Sequence, residues 1–222
     1  MTTAIIVAAG KSERMGAGTD KAFLSLVNKP VVAWSLLAFE RCADIDNIVL
    51  VVRKDQILAS KAVVQMFGIS KMRKIVAGGS KRQESVAAGL AECDIDTKLV
   101  VIHDGARPLV TPDMISEVVK VASRTGAATI GKRVTDTIKR VEKGTTVTET
   151  IDRAKLWAVQ TPQAFNIRTL RNAFKALDGK EVTDDSQVVE LAGESVKIVD
   201  CRRPNLKITT VEDLQIAGSL LK

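Results

Sequence analysis

The chain has 222 residues, 45% of them hydrophobic and 27% charged, which is enough apolar material for a substantial core and excludes intrinsic disorder and collagen-like repeats. No run approaches the roughly 20 uninterrupted apolar residues of a membrane helix, and the apolar run Ala4–Ala9 stops at Gly10 without a signal-peptide profile, so a soluble, cytoplasmic protein is expected. Lys and Arg outnumber Asp and Glu by 33 to 26, and the formal charge of +7 favours anionic partners without choosing between a nucleotide, a sugar phosphate and a nucleic acid.

In chain order, Ala4–Ala8 reads as a buried strand, followed by a second at Ile48–Val52. Ser80 with Gln83 has the spacing of a capping box and predicts a helix near 81–92. A strand at Leu99–Ile102 follows, then Thr111-Pro112 as N-cap and first turn of a helix near 112–124. Ala127–Ile130 and Val196–Val199 are further strands, and Thr210 with Asp213 opens a helix near 211–221. This alternation predicts an α/β fold: a Rossmann-like, mostly parallel sheet sandwiched by helices. Between the last two strands, Thr137–Val141 and Thr146–Ile151 alternate polar and apolar residues around Glu142-Lys143-Gly144-Thr145 and read as an inserted β-hairpin. It is too polar to bury much by itself, which leaves both an arm that packs on a second subunit and a solvated surface hairpin open. Without repeats or linker-like tracts, the expected organisation is one domain over residues 1–222 with an arm at 135–158. Cys42, Cys93 and Cys201 lack any ligand spacing and read as buried thiols.

The strand Ala4–Ala8 runs straight into a loop containing Gly10, Lys11, Arg14, Gly16 and then Lys21. Small residues Ala8, Ala9 and Gly10 at a strand's carboxyl end let a ligand approach the backbone, and ligands of open α/β sheets bind at that edge. Two common phosphate loops fail on spacing. A Walker A motif ending in Gly10-Lys11-Ser12 needs a glycine where Ile5 stands, and a dinucleotide fingerprint from Gly16-Ala17-Gly18 needs one where Lys21 stands.

Ala8-Ala9-Gly10, Arg14-Met15-Gly16 and Lys21 resemble the signature loop of sugar-phosphate nucleotidyltransferases. Further blocks follow in order: Gly78-Gly79-Ser80-Lys81-Arg82-Gln83-Glu84-Ser85-Val86, His103-Asp104-Gly105-Ala106-Arg107-Pro108, Asp136-Thr137-Ile138-Lys139, Gln160-Thr161-Pro162-Gln163-Ala164-Phe165, Thr183-Asp184-Asp185-Ser186 and Asn205-Leu206-Lys207-Ile208-Thr209. Together they are similar to the blocks of the 2-C-methyl-D-erythritol 4-phosphate cytidylyltransferases. The resemblance implies cytidylyl transfer from CTP to methylerythritol phosphate, with Mg²⁺ or another divalent cation, in a homodimer whose arm completes the neighbouring subunit's site.

The resemblance assigns residues to that chemistry. Arg14 and Lys21 would hold the triphosphate, and Arg153 and Lys207 complete the catalytic set. Ala8, Ala9, Gly10, Gly78, Gly79 and Ser85 would bind the nucleotide, with the loop before the helix reading the pyrimidine edge. Asp104, Arg107, Thr137, Arg153, Thr161 and Lys207 would contact the polyol phosphate. Asp104 is also the candidate metal ligand, since Mg²⁺ bound to phosphates needs few protein carboxylates. Lys207 alternates with Leu206 and Ile208 as on a strand, facing away from the apolar pair. The lone histidine, His103, is read as structural, because an attacking phosphate needs no strong base.

Two departures stand out: Asp20 and Ala22 flank Lys21 where the family usually has Pro and Gln, and Gly105 stands where Ala is commoner. The nearest rival is a cytidylyltransferase for ribitol 5-phosphate or another polyol phosphate. A basic RNA-binding module fits poorly, since aromatics are 3% with no tyrosine to stack bases. Neither a nucleic acid nor a membrane is expected as a partner.

Overall fold

The computed structural model describes residues 1–10 and 21–221. The chain orders as β1 (Thr2–Ala8), β2 (Ser25–Leu26), β3 (Lys29–Pro30), α1 (Val31–Arg41), β4 (Asn47–Val52), α2 (Ile57–Met66), β5 (Met72–Ala77), α3 (Arg82–Ala91), β6 (Leu99–Asp104) and α4 (Pro112–Thr125). It continues with β7 (Ala127–Arg133), β8 (Ile138–Val141), β9 (Val147–Ile151), β10 (Trp157–Asn166), α5 (Ile167–Ala176), α6 (Asp185–Leu191), β11 (Lys197–Asp200) and α7 (Val211–Leu220).

Seven strands form one sheet in the order β11-β7-β10-β6-β1-β4-β5. All pairings are parallel except those of β10, which runs antiparallel between β6 and β7. The apolar run Ala4–Ala8 of β1 has a simple cause. Successive side chains alternate faces, and both faces are covered. Ala4, Ile6 and Ala8 pack with Val32, Leu36 and Phe39 of α1 and Ile115 and Val118 of α4. Ile5, Val7 and Ala9 face the other way, onto Val86 and Leu90 of α3, Leu170 of α5 and Val188 of α6.

The helix at 112–125 is capped as its sequence predicts: Thr111 Oγ1 accepts from the Met114 amide at 3.4 Å, Pro112 opens the first turn, and Gly126 closes the helix at φ 87°. Thr210 and Asp213 likewise cap α7 reciprocally. The capping box at the start of α3 differs from the expected one. The Glu84 carboxylate, not Gln83, accepts from the amides of Ser80 (2.7 Å) and Lys81 (3.2 Å) and from the Ser80 hydroxyl (2.9 Å). A carboxylate accepts several donors at once and its charge suits a helix N-terminus, whereas the Gln83 amide turns away to the Lys180 carbonyl and the Val182 amide.

The inserted hairpin is present as β8 and β9, one residue shorter at each start than its polarity pattern indicates, and Gly144 sits at φ 63° in its turn. Its residues are mostly exposed. The alternation argument passes over β5, whose second and third residues, Arg73 and Lys74, are charged, and β10, which Pro162 and a register shift between Gln160 and Gln163 interrupt. Cys42, Cys93 and Cys201 are buried free thiols. No helix among the described residues is long and apolar enough to cross a membrane.

Candidate active site

Val7 of β1 pairs with Asp104 of β6, so these parallel strands end side by side. Their carboxyl ends make one rim of a pocket lined by Ala8, Ala9 and Gly10 on one side and Asp104 and Ala106 on the other. The loop after β5 adds Gly79 and Ser80, the start of α3 adds Arg82, and the cations Lys21, Lys81 and Lys207 complete the lining. Ligand space at adjacent strand ends of an open α/β sheet is where the topology places it.

The glycine loop touches β1 directly. A side chain on Gly78 would come within 2.5 Å of Ala9 Cβ and 2.6 Å of Ser85 Oγ, so no other residue allows this approach. The Gly78 amide donates to the Val52 carbonyl at 2.8 Å, tying the loop to the end of β4. The buried Ser85 hydroxyl accepts from the Gly79 amide (3.2 Å) and donates to the Lys81 carbonyl (3.2 Å). Ser85 and Gly79 thus line the pocket as one hydrogen-bonded unit.

Asp104 is the centre of the charge arrangement. Its Oδ1 accepts from Arg82 Nε at 3.1 Å and its Oδ2 from Lys207 Nζ at 2.7 Å, with Arg107 Nε at 3.8 Å. Burial pushes its carboxyl up, but Arg82, Lys207 and Arg107 outweigh burial and hold it well below the usual carboxylate range. Arg82 in turn lies 2.8 Å from Asp185 Oδ2. Burial disfavours the Arg82 charge, yet Asp185 and Asp104 keep it above its ordinary value. Asp185, whose side chain is 1% exposed, has its carboxyl pushed up by burial against the pull of Arg82.

Beneath Asp104 lies a neutral support. Thr161 Oγ1 accepts from the Asp104 amide at 3.0 Å and meets His103 Nδ1 at 3.2 Å. The Arg107 carbonyl can only accept, so His103 Nε2 donates to it at 3.3 Å, and in the neutral ring Nδ1 then accepts from the Thr161 hydroxyl. Burial drives the His103 pKa down to about 3, and the ring is a neutral brace. Arg107 also works from below: its Nη1 donates to the Asn205 carbonyl at 2.8 Å, and burial lowers its pKa while Asp104 partly restores it.

Lys207 arrives by a route the alternation argument describes incorrectly. Asn205–Thr209 belongs to no strand; its backbone tie to the β6 end is the Ile208 amide, which donates to the Ala106 carbonyl at 2.8 Å. The orientation nevertheless holds, because Ile208 and Leu206 pack with Leu26, Val31 and Ala217 and leave Lys207 toward Asp104.

Ala8, Ala9, Gly10, Lys21, Gly79, Ser85, Asp104 and Lys207 therefore come together around one pocket, with Gly78 shaping it. Arg107 and Thr161 stand behind Asp104 rather than on the pocket wall. Thr137 and Arg153 are exposed at the base of the hairpin and do not line this pocket; Arg153 Nη1 donates to the Thr135 carbonyl. Arg14 lies outside the described residues, as do Lys11 and Asp20. Sequence reasoning missed Arg82 and Asp185. Both sit in quoted motifs, but only folding pairs them, and Arg82 reads as an ordinary first-turn helix residue.

Among the described residues no three His, Cys, Asp or Glu side chains gather as metal ligands. Asp104 fits poorly as a protein ligand for Mg²⁺, since each of its oxygens already accepts from a cation. Around Asp104 the donor set is that of an ion-pair centre, which a cation ligated by Asp104 would have to open.

The family model for 2-C-methyl-D-erythritol 4-phosphate cytidylyltransferase matches residues 2–222. The protein of that name from Alkaliphilus metalliredigens is 43% identical over 222 residues, covering 99% of this chain and 92% of its own. Its namesake from Halalkalibacterium halodurans is 44% identical over 219 residues, covering 98% and 95%. The crystal structure of 4-diphosphocytidyl-2C-methyl-D-erythritol synthase from Anaerococcus prevotii superposes with a TM-score of 0.88 at 30% identity, covering 99% of this chain and 95% of that one. A family match over nearly every residue, together with relatives of this similarity, leads to one conclusion: the chain belongs to the 2-C-methyl-D-erythritol 4-phosphate cytidylyltransferase family.

Proposed function

We propose that this pocket transfers the cytidylyl group of CTP to 2-C-methyl-D-erythritol 4-phosphate, yielding 4-diphosphocytidyl-2-C-methyl-D-erythritol and pyrophosphate. The observation that carries this reading is the cationic pocket at the ends of β1 and β6, in a chain that matches the family over residues 2–222. A phosphate oxygen of the polyol phosphate attacks the α-phosphorus of CTP; one P–O bond forms as the bond to the β-phosphate breaks, and pyrophosphate leaves. Two polyanions repel, so catalysis consists of positioning and charge neutralisation rather than a protein nucleophile.

In this reading the backbone of Ala8, Ala9 and Gly10 and the Gly79–Ser85 unit receive the nucleotide. Arg14 and Lys21 offset charge growing on the α-phosphate, and Lys207 anchors the incoming phosphate. Asp104 holds the cations apart and in place, and neutral His103 takes no part in proton transfer. A divalent cation bound together with the nucleotide would offset part of the triphosphate charge. Thr137 and Arg153 act in the site of a second copy, in a homodimer joined through the hairpin, an assignment supported by their exposure and by the exposed Val141 and Val147 on the same arm. The enzyme works in the cytoplasm on small molecules, without nucleic acid or membrane.

Pyrophosphate release with Mg²⁺ and CTP, supplied in parallel with methylerythritol phosphate and ribitol 5-phosphate and with ATP, GTP and UTP as nucleotide controls, tests the assignment. Release restricted to CTP and methylerythritol phosphate is expected. Release with ribitol phosphate instead moves the protein to CDP-polyol synthesis, and silence with both overturns the reading.

A further inference from the structure

Arg82 opens α3 and Asp185 opens α6, two helices on the same face of the sheet. The Asp185 carboxylate is shut off from the pocket, yet its Oδ2 lies 2.8 Å from Arg82 Nη2, while Arg82 Nε donates to Asp104 Oδ1 at 3.1 Å. One edge of the guanidinium is thus hydrogen-bonded to Asp104 and the other ion-paired with Asp185. Asp185 is itself tethered on both sides: Asp184 Oδ2 accepts from Gln163 Nε2 at 2.7 Å, and the Ser186 amide donates to Gln163 Oε1 at 3.2 Å.

The cations around Asp104 are unequal. Lys207 is the most exposed, at 35% of its side chain against 26% for Arg82 and 12% for Arg107. It is a point charge on a flexible stem, whereas Arg82 cannot turn without stranding a buried carboxylate. We infer that Asp185 is a positioning residue of the transfer reaction: it commits Arg82 to Asp104, and so leaves Lys207 as the cation that exchanges between Asp104 and an incoming phosphate. This rests on the reading of the pocket given above. When phosphate draws Lys207 away, Arg82 still neutralises Asp104, and the dianion meets no bare carboxylate. Without Asp185, phosphate competes for Arg82, and Asp104 keeps Lys207.

The test is steady-state kinetics of Asp185→Asn, with calorimetric titration by inorganic phosphate as a readout that needs no turnover. The expected result is a rise of about tenfold in KM for methylerythritol phosphate, a KM for CTP within about twofold, and phosphate binding weakened about tenfold. In a Lys207→Ala background the substitution should add no further effect, and Ser186→Ala, one residue along the same turn, should leave both KM values alone. Arg82→Lys, which keeps the charge but cannot span both carboxylates, should reproduce the shift and decides the matter if Asp185→Asn does not fold. Equal changes in both KM values, no change in either, or full additivity with Lys207→Ala overturns the inference. Wild-type protein that turns over no polyol phosphate overturns the function instead, and the phosphate titration then decides the role of Asp185 alone.

Discussion

Lys207 Nζ lies 2.7 Å from Asp104 Oδ2 across 103 residues of chain, and this contact joins the segment before α7 to the end of the strand at the sheet's centre. Asp104 is the carboxylate on which Lys207, Arg82 and Arg107 converge. Asp104→Asn removes the charge and leaves those cations facing a neutral amide. Breaking one side of a buried ion-pair network costs roughly 3 to 5 kcal/mol, so the variant should unfold at clearly lower urea concentration than wild type. A midpoint unchanged by the substitution would show that the network carries no stability.

Lys21 lines the same pocket from the segment before β2. Lys21→Ala should fold normally and lower kcat about a hundredfold, the scale of losing one group that stabilises transition-state charge. Circular dichroism and single-turnover kinetics on the same preparation separate the two effects, and wild-type turnover would reject the role.

Arg153 sits on the turn after β9, away from the pocket of its own chain. Arg153→Ala should therefore impair use of the polyol phosphate more than binding of CTP. Mixing Arg153→Ala with Lys21→Ala subunits should restore about a quarter of wild-type activity if each site draws on both chains, because about half of randomly paired dimers are mixed and each has one intact site. Confirmed heterodimers with no restored activity would count against a shared site.

Gly78 is where β1 and the glycine loop come closest. Gly78→Ala forces Ala9 or Ser85 to move, and displacements near 1 Å in a positioning loop can cost up to about a hundredfold. The expected outcome is a KM for CTP raised at least tenfold, with a much smaller change in KM for the polyol phosphate. Isothermal titration with CTP checks it directly.

His103 predicts a pH dependence with a definite sign. Burial lowers its pKa from 6.5 to about 3, so between these values the unfolded chain binds a proton that the folded chain refuses. Stability must fall as pH drops through that window, by about 2 kcal/mol from pH 6.5 to pH 5. Asp104 acts in the same direction only lower: its folded pKa is depressed, so its contribution is complete above 3.8 and fades as pH falls toward the folded value. Asp185, raised by burial, opposes both near the carboxylate range. Urea midpoints at pH 7 and pH 5 should therefore differ in wild type and converge in His103→Gln. An equal difference in both proteins would mean that another group is titrating.

The sequence by itself determined strands β1, β4, β6, β7 and β11, the three helices announced by their start signals, the hairpin and the glycine-flanked edge where the pocket lies. These rest on local physics, since a strand buried on both faces must be apolar throughout and a cap must carry an acceptor. The motifs also marked Asp104, Lys207 and the Gly78–Ser85 loop. Local patterning passed over β10, because a proline and a register shift break its periodicity and its neighbours in the sheet come from elsewhere in the chain. It placed Lys207 on a strand, although alternation reports which way a side chain faces and not whether the backbone is paired. Only the tertiary structure decided that Arg82 spans Asp104 and Asp185, that Thr161 and Arg107 stand behind the pocket, and that Asp104 is an ion-pair centre. Charge pairing in a folded interior depends on distance and burial, and both are set by how distant segments pack.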